Sequence, residues 1–486
     1  MQLAGAGGWW LRLGAATTGR AVPRGSGVEA WVTEWIGAGE AARRLGIKQA
    51  TLYSYVSRGV LRRRAGQDGR TSLFDAGEVE SLARRGRPRH PGAGEFVIES
   101  ALTEITSERT CYRGLDITAL AARYELEDVA WLLWTGELTG WERGSWRAAE
   151  AALLAGRAAQ AALPPGTLPL ERFGVIVPAL AAADPLRLQL DPPAVIAAGQ
   201  AVMAGLVDCL PAPGPAGASH SGTAAASHAA TAGGPGTTAD GQAGGAGAAG
   251  AGADSGSPGG GSLTGRLWAK LCPGPTDEGL EGALRAALVL LADHELAAST
   301  FAARVAASVR ADPYAVVATG LGAAGGALHG GASLGVEAML AAAAGPQDVT
   351  RVVGSLLRRG ERIPGFGHFV YRAGDPRAAF LLAEIRARAP GSPRLAVADA
   401  LVREVVGRGL PTPNIDFALA VLASVAGMVA GAAEAVFAVA RTAGWIGHAL
   451  EEYARHAPLR PRARYTGPHY PAAGGNQDGV PPLSGG

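Results

Sequence analysis

The sequence predicts a mainly α-helical protein in which a small helix-turn-helix domain precedes a large helical body. The chain has 486 residues, of which 48% are hydrophobic, enough to fill the cores of two or three domains. Leucine, alanine and tryptophan recur at helical spacing from Gly94 to about His456, with few stretches that alternate as strands do. Between Trp35 and Arg89, twelve Arg or Lys stand against five Asp or Glu, which marks this segment as a separate basic unit.

The two ends of the chain predict no fold of their own. Residues 1–33 contain Arg12, Arg20 and Arg24 before the first acidic residue, a pattern also found in transit peptides. They lack a long apolar run, so we interpret them as a disordered segment that is dispensable or follows a misassigned start. Residues 471–486 are predicted to be a disordered tail.

Residues 34–92 predict a winged helix-turn-helix domain. The stretch GEAARRLGIKQATLYSYVSRGVL predicts a helix, a turn at Gly46 and a second helix from about Lys48 to Ser57. Its apolar residues have the spacing of a helix-turn-helix motif. The next segment, RRRAGQDGRTSLFDAGEVESLARR, predicts a small hairpin or wing and then a helix begun by Asp75. The domain resembles the DNA-binding domain of mercury-resistance-type regulators and excisionases.

This resemblance implies a possible DNA partner for residues 34–92. The side chains expected to face a DNA groove are Lys48, Gln49, Thr51 and Ser54. The alternative is a solvated pair of basic helices used for packing or for dimer contacts.

A low-complexity insert interrupts the body, which we place at residues 93–470. Residues 211–262 contain no Val, Ile, Leu, Met, Phe, Trp or Tyr. Such a segment cannot bury enough apolar surface to offset the entropy lost on ordering. We therefore predict a disordered Gly/Ala insert.

Charge and cysteine content exclude several protein classes. The formal net charge is +2, so the whole chain shows no bias toward nucleic acid or membrane. The three cysteines have no metal-ligand spacing and suit a reduced cytoplasm, and no metal site is predicted. The apolar run that starts at Phe417 is interrupted by Glu434 and by glycines, so we predict two buried helices that meet near Gly431 rather than a membrane span.

Three histidines stand in polar or glycine-rich surroundings. His294 lies between an Asp and a Glu, in what we predict to be a leucine-rich helix; alone, such a histidine is more often structural. His329 lies between glycines, where a backbone or ligand can approach closely. His368 lies in the loop GFGHFVYRAGDPRAAF, which also supplies Arg372 and Arg377 and in which Asp375-Pro376 predicts the cap and first residue of a helix.

A carboxylate and several arginines complete the set of unusual polar residues. Asp416 follows a Pro-Thr-Pro-Asn turn at the start of an apolar helix, where it could be a catalytic group or simply a helix cap. We predict that Arg441 lies on a long amphipathic helix, and an arginine on an apolar face needs an anionic partner. Arg460 and Arg462 follow that helix.

Together these stretches resemble the citrate synthase family. The resemblance extends from about Glu95 to Gly467 without the insert, and the motifs fall in the family's order: TCYRGLDI, LLWTGEL, ADHELAASTFAARV, LHGGA, GFGHFVYRAGDPRA, PNIDFA and ARTAGWIGHALEE. It implies citrate synthase-like large and small helical domains, the small one at about residues 329–425, in a cytoplasmic homodimer. A family member fused to a helix-turn-helix segment is a recognisable bacterial variant.

The resemblance also implies a role for each polar residue. Asp416 would remove a proton from acetyl-CoA, His329 would donate a hydrogen bond to the thioester oxygen, and His368 would act as general acid on the ketone of oxaloacetate. The groups that would bind oxaloacetate are His294, Arg377, Arg441 and, from the partner subunit, Arg460. Arg372 and Arg462 would bind the phosphates of coenzyme A. The resemblance implies that the coenzyme A thioester is a co-substrate and that no cofactor is permanently bound.

The implied activity is the citrate synthase reaction of the tricarboxylic acid cycle. It is an acyl transfer that condenses acetyl-CoA with oxaloacetate. Two alternatives remain at this point: a 2-methylcitrate synthase that uses propionyl-CoA, since one methylene is worth only about 1–3 kcal/mol in a pocket, and a DNA-binding regulator whose body senses a metabolite. Phe369 stands where the family often has a basic residue, which weakens part of the expected coenzyme A contact.

Overall fold

The structure is a computed structural model. It describes residues 35–45, 47, 52–53, 55–56, 61–66, 71–76, 78–79, 97–106, 109–142, 146–213, 261–455, 457–463 and 465–467. The chain divides into two compact units, Met1–Val97 and Ile98–Gly486. Both predicted disordered ends and most of the predicted insert lie outside the described residues.

The first unit contains a three-stranded antiparallel sheet and a helix. Strands β1 (Trp35–Gly37), β2 (Arg63–Ala65) and β3 (Ser72–Asp75) lie in the order β1-β3-β2, with helix α1 at Ala38–Leu45. The β2–β3 pair is the hairpin predicted as a wing. Asp75 accepts a hydrogen bond from the Glu78 backbone N–H at 3.2 Å, as expected of a residue that begins a helix.

A small core of its own holds this unit together. It is formed by Ile36, Ala41, Ala42, Leu52, Leu61, Phe74, Ala76 and Val79. Ala41 and Ala42 lie in the first helix that the sequence predicts, and Leu45 of the same helix packs against this core. Lys48, Gln49, Thr51 and Ser54, the predicted groove-facing residues, lie outside the described residues, so the motif itself stays a prediction.

The second unit is helical, as the periodicity predicted. A short antiparallel sheet opens it, with strands β4 (Thr103–Ile105), β5 (Thr110–Tyr112) and β6 (Leu115–Asp116) in that order. Helices before the insert are α2 (Ile117–Ala121), α3 (Leu126–Thr135), α4 (Glu150–Ala159), α5 (Pro169–Ala183) and α6 (Pro192–Cys209). The next helices are α7 (Leu263–Leu271), α8 (Glu278–Leu291), α9 (Ala298–Ser308), α10 (Pro313–Ala324) and α11 (Ala332–Ala341). A 3₁₀ turn (Pro346–Asp348) leads into α12 (Val349–Arg358), α13 (Pro376–Arg388), α14 (Pro393–Gly407), α15 (Ile415–Ala426) and α16 (Ala432–Arg455).

Short polar side chains fix where many of these helices begin. Side chains that accept a hydrogen bond from the first turn belong to Asp116, Asp191, Ser262, Asp277, Asp312, Asp375, Ser392 and Asn414. Several are followed by proline, whose fixed φ suits the first helical position. The Asp375-Pro376 cap predicted from the sequence is confirmed.

Helix α16 runs through the core of the second unit and carries Arg441. Twenty of its 24 residues are buried. Where it passes other elements, glycines allow close approach: a Cβ on Gly444 would lie 2.6 Å from the Ala292 carbonyl oxygen, and one on Gly320 would lie 2.6 Å from Trp445.

The apolar run from Phe417 forms two helices, as predicted. α15 ends at a Gly427 cap in the left-handed region (φ 64°), and Gly431 (φ 76°) precedes α16. By length and composition, α6 is the one helix among the described residues that could cross a membrane, and 56% of it is buried in the core.

The prediction that His294 lies inside a helix is wrong. Helix α8 ends at Leu291, and the backbone N–H of Asp293 donates to the Tyr112 hydroxyl at 3.2 Å. Glu295 adopts a positive φ of 52°, which breaks any continuation of the helix. His294 therefore lies in a tight turn between α8 and α9.

Candidate active site

The loop that carries His368 is attached to the segment that leads into Asp416. The Gly367 N–H donates to the Thr412 carbonyl at 2.8 Å, and the Asn414 N–H donates to the Gly365 carbonyl at 2.8 Å. Gly365 has a φ of 78°, and a Cβ there would lie 2.8 Å from the Cβ of Phe417. Only glycine fits such a position, and the result is that residues about 50 positions apart in the sequence share one site.

Asp416 lies in the first turn of α15 but does not cap it. Asn414 is the cap, since its side-chain oxygen accepts from the N–H groups of Asp416 (3.1 Å) and Phe417 (3.3 Å). The Asp416 carboxylate instead accepts a hydrogen bond from the hydroxyl of buried Ser333 at 3.2 Å. Burial raises the pKa of Asp416 to about 6, against the opposing effects of Arg377 and Ser333.

His329 is a neutral imidazole whose proton position is fixed by Ser299. Its Nε2 lies 2.7 Å from the Ser299 hydroxyl and accepts from the Ser299 backbone N–H at 3.4 Å. The Trp445 indole N–H donates to the same hydroxyl at 3.3 Å, so the hydroxyl proton is free for Nε2. Burial, together with Arg441, lowers the pKa of His329 to about 4. The ring proton therefore lies on Nδ1, where it can be donated to a ligand.

His368 is neutral with the opposite tautomer. Its Nδ1 accepts from the backbone N–H groups of Val370 (3.1 Å) and Tyr371 (3.3 Å), so the proton lies on Nε2. Burial and then the Arg377 charge lower the pKa of His368 to about 4, while Asp375 opposes them. Its Nε2 lies 3.4 Å from Nη2 of Arg377; because both nitrogens carry hydrogen in this tautomer, this approach is a contact and not a hydrogen bond.

Arg377 is buried and rigidly held by Asp375. The carboxylate accepts from Nε at 3.0 Å and from Nη2 at 2.8 Å. The same carboxylate accepts the backbone N–H of Ile415 at 3.0 Å and so joins the start of α13 to the start of α15. This fork leaves the guanidinium oriented toward His368.

Arg441 is almost fully buried and lacks an ion-pair partner in the described part of the chain. Its Nε donates to the Leu291 carbonyl at 2.9 Å, and its guanidinium lies 4.7 Å from the centre of the Phe437 ring. Its Nη1 is buried without a hydrogen-bond partner. Burial lowers its pKa. A buried guanidinium with an unused donor is a strong site for a ligand carboxylate.

His294 completes the cluster around the two arginines. Its ring centre lies 5.5 Å from that of His368 in an edge-to-face arrangement, and its Nε2 lies 3.0 Å from the Tyr371 hydroxyl. Burial lowers the pKa of His294 well below its usual range, and the charges of Arg377 and Arg441 add to this effect.

Three predicted arginines lie outside this cluster. Arg372, Arg460 and Arg462 are exposed, and no described contact joins them to the buried groups. The segment that carries Arg460 is held by a hydrogen bond from the Leu459 N–H to the Ser308 hydroxyl at 3.0 Å.

A cavity of about 490 Å³ opens beside His368. It is lined largely by apolar residues that include Ile363, Phe366 and Phe369, and Phe369 is 89% exposed.

The sequence interpretation missed three side chains that orient the cluster: Ser299, Ser333 and Tyr371. Ser299 and Tyr371 lie inside stretches that were recognised, ADHELAASTFAARV and GFGHFVYRAGDPRA. Ser333 lies four residues after His329 on α11. The only signal in the sequence is their nearness to the histidines, because their partners come from other helices.

The arrangement offers a partly buried carboxylate base, two neutral imidazoles that each present an N–H, and two buried guanidiniums. Such a set suits proton abstraction next to a carbonyl, with stabilisation of developing negative charge and binding of a dianion. Among the described residues, no group of three or more His, Cys, Asp or Glu side chains is placed to bind a metal.

Comparisons with known proteins show which proteins the chain is similar to. The family model for the C-terminal domain of citrate synthases matches residues 93–462. The chain is similar to the citrate synthase of Haloferax volcanii, with 43% identity over 186 residues that cover 37% of this chain and 49% of that protein. It is also similar to the 2-methylcitrate synthase of Mycobacterium tuberculosis, with 27% identity over 402 residues, 77% of this chain and 89% of that protein.

The fold is also similar to that of solved structures. One is the ternary complex of Thermoplasma acidophilum citrate synthase with carboxymethyl coenzyme A and oxaloacetate, with a TM-score of 0.57, 21% identity and coverage of 78% of this chain and 96% of that one. The chain spans about half the length of the first curated relatives that it matches.

Proposed function

The chain belongs to the citrate synthase family, a family of acyltransferases, and from this premise we propose that it condenses acetyl-CoA with oxaloacetate and water to citrate and free coenzyme A. The observation that carries the proposal is the state of Asp416. The helix cap is supplied by Asn414, so capping does not explain the place of the carboxylate. Its pKa of about 6 suits a general base near neutral pH.

The first step is removal of a proton from the methyl group of the thioester. Asp416 takes the proton, and the Nδ1–H of His329 donates to the thioester oxygen as negative charge develops there. A neutral imidazole that lies close to Ser299 is already oriented and needs no rearrangement during the reaction. Such a fixed donor typically contributes about 100- to 1,000-fold to the rate.

Carbon–carbon bond formation follows. The nucleophilic carbon attacks the ketone of oxaloacetate, and the Nε2–H of His368 protonates the ketone oxygen. The two backbone N–H groups on its Nδ1 keep this proton on the correct nitrogen. Water then cleaves the citryl thioester and releases citrate and the thiol.

Two buried arginines support binding of the oxaloacetate dianion. Arg441 has an unused donor, and Arg377 is held in place by Asp375. A guanidinium fork matches a carboxylate better than an ammonium group does. Together with His294, these groups form one positively charged, buried surface next to His368.

The acyl group of the thioester is the second part of the proposal. Named relatives include both citrate and 2-methylcitrate synthases, so propionyl-CoA is the alternative substrate. The test is release of free thiol from each thioester in the presence of oxaloacetate. We expect the larger kcat/KM with acetyl-CoA. A larger value with propionyl-CoA would assign the chain to the alternative, and no release from either would overturn the proposed function.

We further propose that the active unit is a cytoplasmic homodimer that shares residues between subunits. Arg460 is exposed and lies outside the cluster of its own subunit, which is what a residue that serves the partner's site requires. Exposed Arg372 and Arg462 are suited to the phosphates of coenzyme A. A regulator without catalytic activity is not favoured, because a metabolite sensor needs no base at position 416.

DNA binding by residues 34–92 is a separate proposal, favoured by the exposed strand β2. All three of its residues are exposed. Arg64 lies over the Trp35 ring at 4.4 Å and Arg63 over the Tyr53 ring at 5.6 Å, so two cations are held on the predicted wing. Arg62, by contrast, is paired with Asp75 and Glu78.

The test is retention of random duplex DNA at two salt concentrations. Phosphate contacts give a log–log slope of about −0.9 for each phosphate neutralised. Changing both Arg63 and Arg64 to Ala should flatten this slope, and removal of residues 1–92 should abolish retention and leave citrate formation largely intact. Retention that does not depend on salt, or is absent, would leave this unit as a packing element.

A further inference from the structure

Tyr371 contacts three of the groups assigned to oxaloacetate and to the acid catalyst. It is only 5% exposed. Its ring centre lies 4.8 Å from that of His368 and 5.1 Å from the Arg377 guanidinium. Its backbone N–H donates to Nδ1 of His368 at 3.3 Å. Its hydroxyl contacts the third group, His294.

The Tyr371 hydroxyl links two parts of the chain that are distant in sequence. It lies 2.6 Å from the hydroxyl of Thr110, 261 residues earlier, and 3.0 Å from Nε2 of His294, 77 residues earlier. Thr110 is itself buried, at 2% exposure, on strand β5. The hydroxyl is therefore the middle of a buried three-group chain from β5 to His294.

Strand β5 also holds the backbone of the turn that carries His294. The hydroxyl of Tyr112, two residues after Thr110, donates to the carbonyl oxygens of Leu290 and Asp293 at 3.1 and 3.0 Å and accepts the Asp293 N–H at 3.2 Å. Tyr112 of this strand thus fixes the main chain of the turn. Thr110 of the same strand is linked to the His294 imidazole through the Tyr371 hydroxyl.

The direction of the hydrogen bonds from Thr110 through Tyr371 to His294 decides which ring nitrogen of His294 carries the proton. His294 is neutral because burial and the two arginines disfavour its charged form, so it has a single N–H. A dianionic substrate needs a donor. If Thr110 donates to Tyr371 and Tyr371 donates to Nε2, the proton of His294 lies on Nδ1, to which no described group bonds.

We propose that Tyr371 is a positioning residue for oxaloacetate: its hydroxyl, supported by Thr110, holds the His294 imidazole with Nδ1–H free to donate to the substrate, while its backbone sets the tautomer of His368. The inference rests on the proposed function, and it assigns a role to a residue outside the reacting groups. It links formation of the substrate site to alignment of the acid.

The experiment compares Tyr371→Phe, Thr110→Val and the double variant with the wild-type full chain. Calorimetry measures the dissociation constant for oxaloacetate, and thiol release measures kcat and the KM for acetyl-CoA. Loss of one hydrogen bond to a binding group should weaken oxaloacetate binding by about five- to tenfold in Tyr371→Phe, with a change of less than about twofold in the KM for acetyl-CoA. Because both hydroxyls belong to one chain, the double variant should be no weaker than Tyr371→Phe alone.

A matched control separates positioning from general stability. Tyr314 is also buried, and its hydroxyl donates to Asp184 at 2.9 Å, remote from the cluster. Tyr314→Phe should lower the Tm as Tyr371→Phe does and leave oxaloacetate affinity unchanged.

Several outcomes overturn the proposal. If Tyr371→Phe and Thr110→Val bind oxaloacetate as the wild type does, Tyr371 has no positioning role. If their effects simply add, the two hydroxyls do not act as one chain. The proposed function stands in both cases. If the wild type itself neither binds oxaloacetate nor releases thiol, the proposed function fails and this inference fails with it. If Tyr371→Phe does not fold, an unchanged affinity for oxaloacetate in Thr110→Val is sufficient to reject the proposed positioning role.

Discussion

At the residue scale, the protonation states of three partly buried groups define what the site can do. Burial raises the pKa of Asp416 to about 6, and it lowers the pKa values of His329 and His368 to about 4. The base is thus poised near neutral pH while both imidazoles stay neutral. Two histidines that donate without being charged avoid repulsion with the nearby arginines.

This pattern predicts the acid limb of the pH–rate profile. The base must be ionised, so kcat/KM for acetyl-CoA should be constant above pH 7 and fall tenfold for each pH unit below about 6, with a slope of one. The imidazoles do not titrate in this range, so no second group should steepen the limb until about pH 4. A profile that stays flat down to pH 5 would contradict the assignment of Asp416.

Ser299 should matter through the tautomer of His329. Replacing Ser299 with Ala removes the hydroxyl 2.7 Å from Nε2 and leaves only the longer backbone contact. Turnover should fall about five- to tenfold, as for one lost hydrogen bond, with oxaloacetate affinity unchanged because Ser299 does not contact that site. Steady-state thiol release and calorimetry measure the two quantities, and unchanged turnover would show that the tautomer does not depend on Ser299.

At the element scale, the start of α15 joins two loops into one site. The Asn414 side chain caps the helix and also donates to the Gly367 carbonyl at 2.9 Å, next to His368. This amide thus acts together with the backbone hydrogen bonds between the two loops to fix the base relative to the acid. The cap and the cross-loop bond can be separated by substitution.

Asn414→Ala should lower the free energy of unfolding by about 1–2 kcal/mol through loss of the cap and should also reduce turnover. Asn414→Ser is the matched control: serine caps helices well but is too short to reach Gly367. It should recover most of the stability and little of the turnover. Denaturant unfolding and thiol release measure both, and full recovery of turnover in the serine variant would mean that the cross-loop bond is not needed.

The motifs predicted the elements that meet at the site, but not the contacts between them. His329, His368 and Asp416 could be singled out because glycine or proline surrounds them in a helical sequence. Ser299 and Tyr371 could not, since their partners come from distant segments. The helix prediction at His294 failed for a related reason. The apolar periodicity of the sequence continues past Leu291, but the helix ends there, and the Asp293 N–H donates to the hydroxyl of the distant Tyr112.

At the scale of the whole molecule, the proposed mechanism requires two subunits for a complete site. Arg460 and Arg462 lie in an exposed segment after α16, and in a symmetric dimer a segment that contacts the partner's site is matched by the same contact in return. The buried groups all come from one chain, so the shared residue can be tested without disturbing them.

Mixing inactive Arg460→Ala with inactive Asp416→Asn protein should restore activity. In a heterodimer, one site combines Asp416 of the first chain with Arg460 of the second. Random co-refolding should recover about a quarter of the wild-type rate, because half of the dimers are mixed and each has one intact site. Heterodimers that form, as shown by differential tags, yet stay inactive would refute the shared site.

The most direct test of the central claim is the turnover of Asp416→Asn, measured by thiol release with acetyl-CoA and oxaloacetate at pH 8. If Asp416 is the base, turnover falls 100-fold or more, with oxaloacetate binding retained. Stability should not fall: a carboxyl pKa raised on folding means that the ionised group destabilises the native state above pH 6, and an amide removes that cost. Turnover close to wild type, with a stability loss of about 1 kcal/mol as for a missing cap, would contradict the mechanism.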